Sequence, residues 1–117
     1  DYVFIVDRIK DMVIRGGENI GCGEVEAALL EHSQILEAAV YSVPDSRLGE
    51  EVGATIFCAG AKIDKTQLRE FLSARLAKFK VPNYIQIADQ RLPRTASEKI
   101  YKLQIRQQAL KDLQVEP

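Results

Sequence analysis

Two apolar runs joined by a turn-rich hexapeptide constrain the fold of this chain most strongly. The runs are EAAVYSV (residues 37–43) and EEVGATIFC (50–58), and PDSRLG lies between them. Short runs of this kind, bounded by residues that favour turns, are typical of strands. We therefore predict that the two runs are neighbouring strands of one sheet.

Helical periodicity lies on both sides of this strand pair. In GEVEAALLEHS (23–33) apolar side chains recur at helical spacing, and two glutamates lie near the positive N-terminal end. Further along, Asp64 is placed to cap a second helix, with Gln67 three residues later. We expect this helix to continue until Pro82 prevents it. Its apolar stripe comprises Leu68, Phe71, Leu72, Leu76 and Phe79.

Shorter elements complete the predicted fold. Residues 2–15 contain two apolar runs and are followed by RGGEN, which predicts a hairpin and then a glycine loop. YIQIA (84–88) predicts one more strand, and LQIRQQALKDL (103–113) predicts a terminal helix. The predicted inner face of that helix is Leu103, Leu110 and Leu113. This order predicts an α+β domain in which an N-terminal β-hairpin precedes a small sheet packed with about three helices.

The composition fits one small domain and argues against a metal site. The chain has 117 residues, of which 46% are hydrophobic and 28% are charged. Cys22 and Cys58 are far apart and have no metal-ligand spacing. We expect both to be reduced, partly buried thiols. The single histidine, His32, is expected to pack or to cap a helix rather than to bind a ligand.

The net charge of −1 conceals an uneven distribution of charged residues. Acidic residues predominate over positions 1–50, and basic residues predominate over positions 75–106. Two interpretations stay open, namely a solvated surface and a surface that receives an anion. Nucleic acid is the weaker candidate, because no aromatic-and-basic platform motif is present. With no apolar run of about 20 residues and no leader-like start, we expect no transmembrane segment and a cytoplasmic location.

Four segments in order resemble one known family. They are DRIKDMVIRGGENI followed by EVE, VYSVPDSRLGEEVGATIF, LAKFKVP and LPRTASEKIYK. Together they resemble the C-terminal domain of the adenylate-forming acyl-CoA synthetases over nearly the whole chain. GGENI is more similar to the acyl-CoA and aryl-CoA ligases than to the amino-acid-activating domains of peptide synthetases. The resemblance implies two steps: a carboxylate attacks ATP to give an acyl-adenylate, and CoA then displaces AMP.

The resemblance assigns roles in the nucleotide-dependent step to both ends of the chain. Lys99 matches the lysine that reaches into the active site for adenylation. A compact ammonium on a long stem can approach both the carboxylate and the phosphoryl oxygens, which repel each other until a cation lies between them. Arg8 matches an arginine near the nucleotide ribose, and Lys10 falls at the hinge between the two conformations. One departure is Glu98, where the family usually has glycine.

The resemblance also implies a CoA-binding set in the middle of the chain. Gly16, Gly17 and Glu18 match a loop beside the pantetheine arm of CoA, where a side chain would narrow the channel. Phe79 and Lys80 match groups near the CoA nucleotide, the ring stacking on adenine and the cation meeting phosphate. Plainer interpretations remain open: a tight turn would explain the glycines, and Phe79 also continues the apolar stripe of its helix.

The chain lacks several parts of a complete ligase. It contains no Gly/Ser/Thr-rich phosphate loop, no acyl pocket and no metal-binding acid in an appropriate setting. We therefore expect residues 1–117 to be a mobile C-terminal domain, inactive alone, whose N-terminal domain binds ATP, Mg and the acid. Benzoate-like, carnitine-like, medium-chain and long-chain acids all fit. The alternative is a non-catalytic accessory or binding module that keeps the fold while Glu98 has blunted the site.

Overall fold

The predicted strand pair provides the two longest strands of the sheet in a computed structural model that describes residues 12–58, 63–93 and 102–113. The strands are β1 (Met12–Arg15), β2 (Glu18–Gly21), β3 (Ile35–Asp45), β4 (Gly49–Cys58) and β5 (Tyr84–Ala88). The helices are α1 (Cys22–Leu30), α2 (Lys65–Ser73) and α3 (Lys102–Asp112), with a short 3-10 helix at Lys78–Lys80. An α+β domain with three helices is therefore confirmed.

Strand β4 is the central strand of the sheet. It pairs antiparallel with β3 from Asp45↔Gly49 to Ile35↔Cys58, which confirms the predicted neighbours. On its other side β4 pairs in parallel with β5. It also pairs antiparallel with β1 at Arg15↔Gly49. The order β2-β1-β4-β3 leaves β3 at an edge of the described sheet.

The sheet is covered on both faces, which explains why its two longest strands are almost continuously apolar. Ala38 and Val40 of β3 pack in the core beneath α1 and α2. Side chains alternate along a strand, so Ala39 and Tyr41 face the opposite core beneath α3. There the Tyr41 hydroxyl lies 2.7 Å from Thr55 Oγ1, and burial raises the pKa of Tyr41 to about 12.

The structure places the two glycines inside the N-terminal hairpin, whereas the sequence predicted them after it. Strands β1 and β2 pair from Met12↔Gly21 to Arg15↔Glu18, so Gly16 and Gly17 form the turn of a hairpin rather than a loop after one. Both glycines have positive φ, +55° and +88°. A two-residue turn with two positive φ angles matches the right-handed twist of the flanking strands and strongly favours glycine. Residues 2–11 of the predicted hairpin lie outside the described chain.

Helix α2 begins as predicted but ends earlier. The Asp64 carboxylate accepts hydrogen bonds from the N–H groups of Thr66 and Gln67 at 2.8 and 3.1 Å, which confirms the cap. The helix ends at Ser73, well before Pro82. The Ser73 hydroxyl donates to the Arg69 carbonyl at 2.8 Å, a contact that competes with helical hydrogen bonding. The last residues of the predicted stripe therefore lie in a turn and the 3-10 helix.

Helix α3 exists as predicted but presents a different face. Its buried residues are Ile105, Ala109 and Leu110. Of the three predicted leucines only Leu110 is buried, whereas Leu103 is 54% exposed and Leu113 is half-buried. The prediction followed leucine content, but the position of the helix over β3 decides which residues face Tyr41 and its neighbours.

The cysteines and the histidine lie among packed residues. Cys22 and Cys58 are buried thiols outside any disulfide, and burial raises the pKa of Cys58. The His32 ring packs edge-on against Phe71 at a centroid distance of 5.0 Å, and its Nδ1 accepts a hydrogen bond from the Gln34 N–H. His32 is thus a packing residue. Across the residues described, no helix is long and apolar enough to cross a membrane.

Candidate functional site

The glycine turn is the most exposed of the predicted site features. Gly16, Gly17 and Glu18 are all exposed, and the Gly16 N–H donates to the Leu48 carbonyl at 3.0 Å. A Cβ at Gly17 would meet no atom within 4 Å, whereas one at Gly16 would lie 3.2 Å from Leu48. The turn therefore offers bare backbone to an approaching ligand, and a side chain at Gly17 would occupy the space outside it.

Two glutamates fix this turn to the sheet. The buried carboxylate of Glu51 lies 2.7 Å from Arg15 Nε and also accepts the Val52 N–H at 3.0 Å. The neighbouring Glu50 accepts the Ile14 N–H at 2.7 Å. Strand β1 is bound to β4 mainly through side chains, because the two strands share one backbone register position. The exposed turn is consequently held in place by charge-assisted contacts.

An open groove of about 490 Å³ lies at the turn end of the hairpin. Its lining includes Arg15 with its partner Glu51, the ring of Phe79, and two further basic side chains, Arg69 and Lys78. Arg69 is held by the carbonyls of Pro82 and Asn83. An aromatic ring among basic groups suits an anionic ligand that carries a flat base. The sequence analysis identified Phe79 but not Arg15 or Arg69. Arg15 is part of RGG, whereas nothing local in the sequence places Arg69 beside Pro82 and Asn83.

Phe79 and Lys80 stay close together, with Lys80 Nζ 5.8 Å from the centre of the Phe79 ring, but they make different contacts. Phe79 is half-buried, lines the groove and packs against the core, so both interpretations of this ring fit its position. The Lys80 ammonium lies 3.0 and 3.1 Å from the two carboxylate oxygens of Glu24. Glu24 would therefore compete with a phosphate for Lys80. Phe79 lines the groove, whereas the ammonium of Lys80 is paired with Glu24.

Residues 24–99 match the AMP-binding enzyme C-terminal domain family. The chain belongs to this family. It is 45% identical over 106 residues to a feruloyl-CoA synthase of Amycolatopsis, a match that covers 90% of this chain and 21% of that protein. It is 42% identical over 101 residues to the 2-succinylbenzoate–CoA ligase of Bacillus licheniformis, with coverage of 86% and 21%.

Solved structures agree with this assignment. The Mycobacterium tuberculosis fatty acyl CoA synthetase matches with a TM-score of 0.80 and 34% identity, over 86% of this chain and 20% of that one. Apo MatB from Rhodopseudomonas palustris matches with a TM-score of 0.81 and 37% identity, over 89% and 20%. This AMP-binding enzyme C-terminal domain thus spans about a fifth of the length of the relatives it matches.

Ion pairs between the two halves of the sequence neutralise part of the uneven charge of this domain. Four acidic residues of the first half pair with four basic residues of the second half. The pairs are Glu24–Lys80, Glu26–Lys102, Glu31–Arg75 and Glu37–Arg91. Neither interpretation made from the sequence anticipated this pairing. Lys78, in the groove, makes no ion pair with any other described residue, so it stays available to an anion.

The residues that the resemblance assigns to the nucleotide-dependent step lie outside the described residues. Arg8 and Lys10 precede Met12, and Glu98 and Lys99 fall between positions 93 and 102. Their assigned roles stay predictions. Among the residues that the structure does describe, no cluster of three His, Cys, Asp or Glu side chains is arranged to hold a metal ion.

Proposed function

We propose that this chain is the mobile domain of an ATP-dependent acid–CoA ligase. The observation that carries the proposal is the match of nine-tenths of the chain to about one fifth of proteins named as CoA ligases and synthases. The remainder of such a protein would bind ATP, CoA and the carboxylic acid together with this domain. These relatives support the ligase over a non-catalytic accessory module.

In this proposal Lys99 acts in the first half-reaction. Its ammonium would lie between the attacking carboxylate and the α-phosphate of ATP and would offset the charge that develops there. Arg8 would contact the nucleotide ribose, and Lys10 would absorb the backbone rotation between the two half-reactions. The described residues offer no metal cluster, so Mg²⁺ would be held by the N-terminal domain.

The described residues would act in the second half-reaction. The bare backbone of Gly16 and Gly17, with Glu18 beside it, would flank the pantetheine arm of CoA. Phe79 would stack on the adenine from the groove. Lys80 would meet phosphate in competition with Glu24. Lys78, which has no ion-pair partner among the described residues, supplies a second cation in the groove.

The test is to measure the two half-reactions separately in the full-length ligase. Lys99→Ala is expected to lower acid-dependent exchange of pyrophosphate into ATP by roughly 10²- to 10³-fold, because one preorganised charge is removed. Thioester formation from supplied acyl-adenylate should change little, since Lys99 belongs to the other conformation. Equal loss in both half-reactions, or no loss in either, would contradict the proposed role.

A further inference from the structure

We propose that Glu26 and Glu37 are positioning residues for the segment that carries Lys99. The inference rests on the proposed function of Lys99. Residues 93–101 connect Leu92 to Lys102, and each of these two flanking residues is bound by one of the two glutamates. Glu26 belongs to α1 and accepts a hydrogen bond from β3, whereas Glu37 belongs to β3 itself.

Glu37 holds the residue before the segment. It lies on β3 and is 4% exposed. Its Oε1 accepts the Leu92 N–H at 2.8 Å, and its Oε2 lies 3.5 Å from Arg91 Nη1. Leu92 is itself buried in the core beneath α3. A buried carboxylate that accepts a backbone N–H makes a strong, short contact, so the chain is fixed where the segment begins.

Glu26 holds the residue after the segment. It projects from α1, on the opposite face of the sheet from α3, and its Oε2 accepts the N–H of Val40 at the free edge of β3. The same oxygen lies 2.7 Å from the ammonium of Lys102, the first residue of α3. One turn later Arg106 Nε donates to the Ser42 carbonyl at 2.8 Å. Glu26 thus joins α1, the edge of β3 and the start of α3.

The contact with the sheet edge does not by itself explain why residue 26 carries a negative charge. The Val40 N–H needs only an acceptor oxygen, which a neutral amide would also supply. The ammonium of Lys102 needs the carboxylate. Glutamine at this position would therefore keep the edge contact and remove the ion pair to α3. Because reacting groups misplaced by about 1 Å can slow a reaction about 10²-fold, a loosened flank should slow the step that uses Lys99.

The experiment uses the full-length ligase and measures both half-reactions. Glu26→Gln, Glu37→Gln and Lys102→Met are each expected to lower adenylation by roughly tenfold or more, with thioester formation within about twofold of wild type. The double variant Glu26→Gln/Lys102→Met should be no slower than Lys102→Met alone, because the ion pair with Glu26 is already lost in that variant. Glu31→Gln is the matched control. Glu31 caps the C-terminal end of the helix that carries Glu26, and this substitution breaks an exposed ion pair with Arg75.

Hydrogen exchange supplies a readout independent of activity. Amides of the peptide that spans residues 93–101 should exchange faster in the three variants than in wild type or Glu31→Gln. Equal loss in both half-reactions, together with a lower melting temperature, would overturn the inference in favour of a structural role. Lys99→Ala distinguishes the remaining cases. If it slows adenylation while the glutamate variants do not, only the positioning role fails. If it has no effect, the proposed function fails and the inference fails with it.

Discussion

Gly17 and Gly49 have nearly the same φ angle but lie in different turns. Gly17 has φ +88° and Gly49 has φ +85°, and a Cβ at either would meet no atom within 4 Å. Any other L-residue is strained at these angles, at a cost of roughly 1–2 kcal/mol. Gly49 therefore provides a control for the strain that a substitution at Gly17 introduces.

We predict that Gly17→Leu and Gly49→Leu destabilise the protein equally but affect CoA chemistry differently. In the full-length ligase, Gly17→Leu should slow thioester formation by roughly tenfold or more, because its side chain would obstruct the pantetheine arm. Gly49→Leu should leave that step near wild type. Stopped-flow measurement from supplied acyl-adenylate, together with thermal melting, tests this. If Gly49→Leu slows thioester formation as much, strain rather than obstruction is responsible.

A second residue-scale feature is the Asp45 carboxylate, which shapes the turn between β3 and β4. It accepts the N–H groups of Arg47 and Leu48 at 2.9 and 2.8 Å. These two hydrogen bonds, with Leu48 contributing most, hold the pKa of Asp45 below its usual value of 3.8. A lowered folded pKa means that the ionised carboxylate stabilises the fold above the unfolded pKa. This contribution is lost as the pH falls through the folded pKa.

We predict that Asp45→Asn reduces the acid sensitivity of the domain. The amide oxygen can still accept a hydrogen bond from the turn, but it does not titrate. The free energy of unfolding should therefore fall less between about pH 5 and pH 2 than in wild type. Urea unfolding across this range measures the slope. An unchanged slope would show that Asp45 does not contribute to acid unfolding.

At the scale of elements, side chains bind the backbone along the outer edge of β3 in the part of the sheet that the structure describes. Its Val40 N–H is bound by Glu26, its Ser42 carbonyl is bound by Arg106, and Pro44 has no N–H to offer. Free edges invite aggregation, and side-chain caps and proline are recognised means of blocking them. Helices α1 and α3 therefore protect the edge of β3 through their polar side chains as well as covering its faces.

Helix α3 offers a matched pair of leucines for testing which of its faces stabilises the domain. Leu110 is 3% exposed in the core beneath the helix, whereas Leu103 is 54% exposed. We predict that Leu110→Ala lowers the free energy of unfolding by about 2–5 kcal/mol because it leaves a cavity. Leu103→Ala should change it by no more than about 0.5 kcal/mol. Chemical denaturation of both variants measures this, and a larger loss for Leu103→Ala would contradict the observed face.

At the scale of the whole molecule, the ion pairs join the two halves of the sequence. Glu24 meets Lys80, Glu26 meets Lys102 and Glu37 meets Arg91, over long separations along the chain. Partly exposed pairs contribute little each, with a median of about 0–1 kcal/mol. Their main consequence is specificity, because they determine which surfaces of the helices and loops lie together. Most of the stability must come from the two apolar cores.

We predict that the 117-residue chain folds by itself but does not catalyse adenylation. Two apolar cores on one sheet should give a single cooperative thermal transition by circular dichroism. Acid-dependent exchange of pyrophosphate into ATP should be undetectable, because the proposed ATP and acid sites belong largely to another domain. The full-length ligase is the positive control. Exchange by the pure chain would contradict the two-domain proposal.

Local patterns in the sequence were sufficient for most elements. We could predict the β3–β4 pair from two apolar runs and the turn residues between them, the helix cap from Asp64, and the family from four short segments, because each of these signals depends on residues close in the chain. Of the predicted CoA-binding residues, Gly16 to Glu18 lie together in an exposed turn and Phe79 lies in the groove. These predictions agree with the structure because the local preferences of the sequence and the overall fold favour the same conformation.

Only the tertiary structure decided the partners of the charged residues and the limits of the longer elements. Lys80 and Glu24 carry no local signal of their pairing, and Leu103 looks as apolar as Leu110 in the sequence. Helix α2 ends at Ser73 although its apolar stripe continues toward Pro82. The physical reason is common to all three cases. A charge or an apolar side chain is stabilised by whichever surface the packed layers bring to it, and that surface comes from residues distant in the chain.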